Sequence, residues 1–473
     1  MLLLKINVVG DKCMNFTKKL WKDLPYCGII FDKYDLISNI GRDVMEYKFQ
    51  KKEISDGVEL CTITANGFKS ASVTVNFVMP LSSKASLYAL VPNVLSRSSE
   101  EYPDLTSIEK KLAVLYGAEL GVDVVKSGDH QVLKLGVSCI DDRFAFDGES
   151  ITAECSKLLF EIIFKPRLIN GIFDAEDVES EKRLLSERLA AEKSDKRTYA
   201  KNRCEEIMFE GDVYGINRFG SAEAIKSIDA ATLYDAYREI LKSAKIVVCV
   251  SGNADISLVE NYLVKYTENL ERNLVTNKTS FDKTAKEVKY VKEQEEVKQG
   301  KLVLGFRMGM EGKDDNYSAR RVMVDIFGGS PHSKLFTVVR EKMSLCYYCS
   351  ARLVRPKGVM FVQSGIESEN EIKSKDAILL QLEDIKNGNF SDDDIIASVK
   401  ALEDSFKSVS DTPEALDSWF MSQCVSGEYK YPEDYIAGFK SVTREQIISA
   451  AKDVTLDTVF MLEGTLEGGE DDE

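Results

Sequence analysis

The chain is poor in histidine, tryptophan and proline: among 473 residues there are two histidines, two tryptophans and nine prolines. The two histidines, His130 and His332, are too far apart in sequence to sit four residues apart on one helix face, as a paired-imidazole metal site requires. Basic charge is also short. Lys and Arg total 62 against 78 Asp and Glu, a net charge of -16, which disfavours general binding to nucleic acid or to anionic membranes. No segment approaches the ~20 consecutive apolar residues that span a bilayer. The start, Met1-Leu2-Leu3-Leu4-Lys5-Ile6, has no basic stretch leading into a long apolar one, so it does not read as a secretory signal. A Walker-type phosphate loop and a serine nucleophile elbow are both missing, which leaves nucleotide hydrolysis and serine-type acyl transfer without support.

What is present points to a large globular protein. Hydrophobic residues make up 44% of the chain, enough to fill two or more cores. Ten cysteines are scattered along it, and Cys61, Cys139 and Cys249 fall inside apolar, strand-like runs. Buried thiols in a reducing compartment explain that pattern, so the expected location is the cytoplasm.

The pattern of elements suggests an internal repeat. After an irregular stretch to about Lys52, the runs 58–65 and 70–78 read as a strand pair joined by a hairpin at Asn66-Gly67. Helices are expected over 84–95 and 106–116, a strand over 131–138, and a long amphipathic helix from near Asp174, whose side chain can cap the first turn. A helix over 229–241 leads into the unbroken apolar strand 245–251 and then Gly252. The segment 268–300, rich in Lys, Glu, Asn and Thr, reads as a linker. Beyond it come a strand over 301–306, helices over 319–326 and 333–342, and strands over 345–353 and 358–364. The ending repeats the first half: a helix over 443–451, a strand over 458–462, and Gly464. Two copies of one α/β plan follow, sharing order more than identity.

The sharpest local signal is Phe327-Gly-Gly-Ser-Pro-His-Ser-Lys-Leu-Phe336, running into Val339-Arg340-Glu341 and then Tyr347-Tyr348. This segment closely resembles the second-lobe signature of the insulinase/pitrilysin (inverzincin) peptidases. There, a Gly-Gly turn and a Ser-x-Leu-Phe helix precede Arg-Glu, with a tyrosine seven residues after the arginine. The resemblance extends more weakly along most of the chain. It is nearest to bacterial non-catalytic members encoded beside an active homologue, pairs that in some genomes accompany the aminopentanol modification of elongation factor P. It implies an α+β fold of two homologous lobes, each a mostly antiparallel sheet with helices packed on it, forming a clam-like chamber. The expected division is an N-terminal lobe over 1–267, a linker over 268–300, a C-terminal lobe over 301–465 and an acidic tail over 466–473. In that family the arginine and tyrosine hydrogen-bond the substrate near the scissile carbonyl, so the resemblance gives substrate-binding roles to Arg340 and Tyr347. The chemistry suits them, since a guanidinium offers fixed donors to carbonyl oxygens and a phenol can donate to a developing oxyanion. The plainer reading is a cation at a helix end and an ordinary strand aromatic. Tyr348, on the opposite sheet face, reads as packing.

The same family needs His-x-x-Glu-His and a distant glutamate to hold zinc and activate water. Here the motif's place falls on Leu90-Val-Pro-Asn-Val94, which has no metal ligand of the right type and contains Pro92. Aligning Glu181 with the family's earlier helix glutamate puts Arg188 at the third ligand, where a guanidinium would repel zinc. A one-residue shift would put Glu187 there, otherwise a solvated helix residue. His130 and His332 read as structural or exposed. Cys346 and Cys349 form a Cys-x-x-Cys, but on a regular strand their side chains would leave opposite faces.

No catalytic residue, metal ligand or cofactor is therefore expected in this chain. The reading is a non-catalytic subunit that pairs with a zinc-bearing homologue and contributes peptide contacts to proteolysis or peptide processing. An unfolded or short polypeptide is the expected substrate, and neither nucleic acid nor membrane is an expected partner. The alternatives are an autonomous metallopeptidase with an unusual site and a structural or chaperone-like peptide-binding scaffold.

Overall fold

The computed structural model describes residues 46–465 apart from 66 and 311–315. The acidic tail, Asn66 and the start of the expected irregular stretch lie outside the described residues. The strands are β1 (Lys48–Ser55), β2 (Val58–Thr64), β3 (Ser70–Pro80), β4 (Glu119–Ser127), β5 (His130–Ile140), β6 (Lys245–Gly252), β7 (Lys289–Glu295), β8 (Gly300–Arg307), β9 (Tyr348–Val354), β10 (Val359–Ile366) and β11 (Thr455–Gly464). They form two sheets, in the orders β1-β2-β6-β3-β5-β4 and β7-β11-β8-β10-β9. Each is mostly antiparallel with one parallel pair, β2 with β6 and β7 with β11. Without the extra edge strand β1, the two orders are the same, which makes the architecture two-lobed α+β with one plan used twice.

Three expectations change. β2 and β3 do not form a hairpin, because β6 lies between them, parallel to β2 and antiparallel to β3. The apolar run Ile246–Val250 is fully buried and needs a neighbour on each side, a long-range demand that a local Asn-Gly signal cannot report. The hairpin in this region instead joins β1 to β2 through Asp56-Gly57, where Gly57 supplies a φ of +66°. The strand also begins earlier than the irregular stretch allowed, at Lys48. Of residues 268–300, Lys289–Glu295 form β7 at the edge of the second sheet.

Helix starts follow their caps. Asp174 accepts from the Glu176 amide at 3.0 Å and opens the helix Ala175–Ser194, while Asp229 accepts from Thr232 at 2.8 Å and opens Ala230–Ser243. Asp195 both ends the first of these helices and caps the next, Lys196–Met208.

The packing exchanges helices between the halves of the sequence. Lys196–Met208 lies against β8 and β11 of the second sheet, where Ala200, Cys204 and Met208 join Val303, Phe361 and Phe460 in one buried cluster. Reciprocally, the helix Pro413–Met421 lies on β2, β3 and β6 of the first sheet. Its Phe420 is fully buried and stacks on Phe49 at 4.2 Å between ring centroids. Its Asp417, also fully buried, accepts from Thr74 at 2.9 Å and from Lys134 at 2.5 Å. A second crossing point is Lys357, 1% exposed, which pairs with Asp129 at 2.7 Å and Asp212 at 3.1 Å. Each lobe thus completes part of the other's core.

Truncating Phe420 to Ala should cost about 3–5 kcal/mol in denaturant unfolding, as expected for a buried aromatic. Because the ring covers the N-terminal sheet, amide exchange in β2, β3 and β6 should also accelerate. Exchange that accelerates only in the C-terminal half would contradict the helix exchange.

Candidate functional site

The signature 327–348 is built around a close approach of backbone to strand. The helix Tyr317–Val324 continues into a wide π-type turn over Asp325–Gly329. A Cβ on Gly328 would meet the Ala351 nitrogen of β9 at 2.7 Å and Leu335 Cδ1 at 2.6 Å, and one on Gly329 would meet Asp325 Oδ1 at 2.7 Å. At Gly328 the blocking atom is strand backbone, so only glycine lets this turn lie so closely against the sheet. Burial pushes the Asp325 carboxyl above its ordinary range.

A second wide-turned helix, Leu335–Lys342, carries Arg340. Its Leu335 and Val339 are fully buried, and the half-buried Arg340 lays its guanidinium over the Phe336 ring at 4.4 Å. The helix closes with Met343 N–H donating to Val338 at 2.9 Å and Leu345 N–H to Val339 at 3.2 Å, with Ser344 between them at a φ of +50°. A serine in the left-handed region is uncommon, and here it turns the chain sharply from helix into β9. Tyr347 sits at the mouth of that turn, 58% exposed. Its amide donates to Gly365 O at 2.9 Å, and its hydroxyl donates to Glu367. The structure thus places Arg340 and Tyr347 at the two ends of one tight turn, with the tyrosine reachable from solvent. Tyr348 is half-buried, its ring 4.4 Å from the Arg197 guanidinium of the other half of the chain, which fits a packing role.

The Cys-x-x-Cys expectation fails on geometry. Cys346 precedes β9 and belongs to the turn, so strand alternation does not apply to it. The neighbouring Cys349 thiol is the main influence holding the Cys346 thiol below its ordinary range, against burial, and the Arg340 charge adds to it. Cys349 is correspondingly raised.

The segment Leu90–Val94 lies within the helix Ala85–Leu95, which packs on Ala175–Ser194. Leu90 and Val94 point into the core and Pro92 is inside the helix. A residue that sequence reasoning passed over, Arg97, lies one turn beyond Val94 and ties the two helices together. It reaches Asp177 at 2.7 Å and the buried Glu181 at 2.9 Å. The signal was available in Asp177 and Glu181, a carboxylate pair at i,i+4 on one helix face, which calls for a cation opposite. Glu187 is 59% exposed and pairs with Arg183, while Arg188 lies 5.5 Å from the Phe219 ring. The helix pair is therefore cross-linked by a guanidinium. Among the described residues no cluster of three or more His, Cys, Asp and Glu is arranged to hold a metal ion.

A cavity of about 1710 Å³ opens between the exposed edges of the two sheets, lined by Asp123–Ser127 of β4, Arg352–Val354 of β9 and the helix residues Lys201 and Glu205. His130 lies on its wall, mostly buried, with Nδ1 unpartnered and its pKa lowered by burial. His332 is exposed in the turn after Gly329. Arg340 and Tyr347 are not on this cavity's wall. Among the described residues no helix is long and apolar enough to cross a membrane.

Comparison with known proteins agrees with this anatomy. A family profile described as "Peptidase M16 inactive domain" matches residues 227–402. A Bacillus subtilis (strain 168) protein named "Probable inactive metalloprotease YmfF" is 31% identical over 423 residues, which is 89% of this chain and 99% of that protein. Among solved structures, a conserved protein from Enterococcus faecalis V583 superposes with a TM-score of 0.81 at 28% identity, covering 89% of this chain and all of the other. A peptidase M16 inactive domain from Pseudomonas fluorescens gives a TM-score of 0.69 at 18% identity, over 89% of this chain and 100% of its own, a likeness of fold.

Replacing Arg97 with Ala strands the buried Glu181 carboxylate and should lower stability by about 2 kcal/mol in denaturant unfolding near neutral pH. Adding Glu181→Gln should recover part of that loss. Full additivity of the two changes would show that the pair is not coupled.

Proposed function

The chain belongs to the peptidase M16 (insulinase/pitrilysin) family as an inactive member, and from that premise we propose that it serves as the non-catalytic subunit of a split peptidase. A zinc-bearing homologue performs the hydrolysis. This chain contributes Arg340 and Tyr347, which hydrogen-bond the peptide near the bond being cut.

One contrast carries the reading. The helix pair that would hold zinc is filled with Leu90 and Val94 and bridged by Arg97, while the turn bearing Arg340 and Tyr347 keeps its full construction, from the Gly-Gly approach to an exposed phenol. A site with contact groups and no metal is useful when a second chain brings the metal. The substrate class is an extended or unfolded polypeptide, because the groups retained are those that address backbone carbonyls. The setting is the cytoplasm, a reducing compartment in keeping with eight buried, unpaired cysteines among the described residues.

The test is turnover by the reconstituted pair. Arg340→Ala and Tyr347→Phe should each reduce kcat/KM by about 100-fold, the equivalent of about 3 kcal/mol for one transition-state donor, with assembly intact by size-exclusion chromatography. Unchanged turnover with an intact assembly would leave a scaffold role instead. Chelator-sensitive cleavage by the purified single chain would contradict the split-site reading.

A further inference from the structure

The cavity between the sheet edges has a charge balance opposite to that of the chain. The chain carries a net charge of -16, yet basic side chains outnumber acidic ones on the cavity wall. Part of that excess is neutralised within the structure. Glu205 pairs with Lys126 and, at 2.6 Å, with Lys201, while Arg218 pairs with Glu192 and Glu206 with Arg203. The other wall cations are Lys278, Arg352, Arg355 and Lys430, and none of them has a carboxylate partner among the described residues. Against them stand Asp123 and Glu428.

Two of these cations are gathered around one ring. Arg355, half-buried just after β9, lies 4.4 Å from the Tyr317 ring and 5.1 Å from the Tyr435 ring, and it donates to the Tyr435 hydroxyl at 2.6 Å. Lys430 Nζ stands 5.9 Å from the same Tyr435 ring. Arg352, exposed, projects from the edge strand β9 on the same wall. Like charges held this way repel one another, and an anion placed among them relieves that repulsion. The two aromatic rings and the phenol already fix Arg355, so a carboxylate that meets it need not order a free side chain.

We infer that this cavity binds an acidic stretch of extended polypeptide, whose carboxylates are received by Arg352, Arg355 and Lys430. A concave wall lined by one sign of charge concentrates its own field, so it attracts an anion even though the chain as a whole is acidic. The wall also includes β4 and β9, edge strands whose outer backbone groups are unpaired in their sheets. Such edges suit a peptide backbone, not a sugar-phosphate chain. The inference adds a charge class to the polypeptide substrate. Its consequence for cleavage rests on the split-peptidase reading, but the binding itself does not.

The experiment uses the full chain alone with fluorescein-labelled peptides of one length, built from Glu-Thr, Gln-Thr or Lys-Thr repeats, and reads binding by fluorescence anisotropy. At low salt the Glu-Thr peptide should bind about 10-fold more tightly than either of the others, and raising salt to about 0.5 M should remove most of that difference. Arg352→Glu combined with Lys430→Glu should weaken the Glu-Thr peptide about 10-fold, since each change replaces an attraction by a repulsion. Neither side chain pairs with a carboxylate in the fold, so the unfolding midpoint should hold. Lys226→Glu with Lys400→Glu, the same change of charge away from the wall, should leave affinity within about 2-fold. Equal affinity for the Gln-Thr or Lys-Thr peptide would overturn the proposal, as would an affinity that the wall substitutions leave unchanged. So would failure of every peptide to bind, or tighter binding of an oligothymidylate of matched charge. No readout involves a second chain or cleavage, so failure here leaves the split-peptidase reading to its own test.

Discussion

The buried ammonium of Lys357 is the constraint around which the two halves of the chain are arranged. It extends from the short connection between β9 and β10, yet its carboxylate partners, Asp129 and Asp212, belong to the first half, and Ser280 from the intervening segment accepts from it at 2.9 Å. A charge this deeply buried is tolerated only when its partners hold position, and removing one partner of such a pair costs about 3–5 kcal/mol. The same logic is repeated where Asp417 of the second half meets Lys134 and Thr74 of the first. With one helix exchanged in each direction, the lobes share buried surface and buried charge. That coupling fixes where the edges of the two sheets, and the cavity between them, stand relative to each other.

The local plan was legible in the sequence where local forces decide it. Asp174 and Asp229 announce helix starts because an Ncap carboxylate meets amides that have no other partner. The repeated ending, helix then apolar strand then glycine, is legible because β6 and β11 occupy the same interior place in each sheet. What escaped the sequence is long-range. No feature of the runs 58–65 and 70–78 says that a strand nearly two hundred residues later will separate them. Nor does the amphipathic pattern of Pro413–Met421 say which sheet it will cover, since a helix's apolar stripe is satisfied by any apolar face of the right shape.

The candidate site was legible as a pattern and not as an arrangement. The spacing of Arg340 and Tyr347 singles them out, but only the structure shows that Ser344 in the left-handed region makes the turn between them, and that Gly328 ahead of them lies too close to β9 for a side chain. The same irregularity misled the reading of Cys346, because strand alternation was applied to a residue that lies before the strand. The resemblance put the missing zinc motif at Leu90–Val94, while the bridge beside it, Arg97 to Asp177 and Glu181, required knowing which helices touch.

The chain has an arginine and an exposed tyrosine beside one tight turn in its second lobe, and in its first a helix pair packed through Leu90 and Val94 and bridged by Arg97. The claim that matters most is that a second chain completes it. The most direct measurement is gentle affinity purification of this protein from its own cell, with mass spectrometry of whatever co-purifies. The account predicts a stoichiometric homologue carrying His-x-x-Glu-His. Recovery of this chain alone, under conditions that preserve weak complexes, would contradict it.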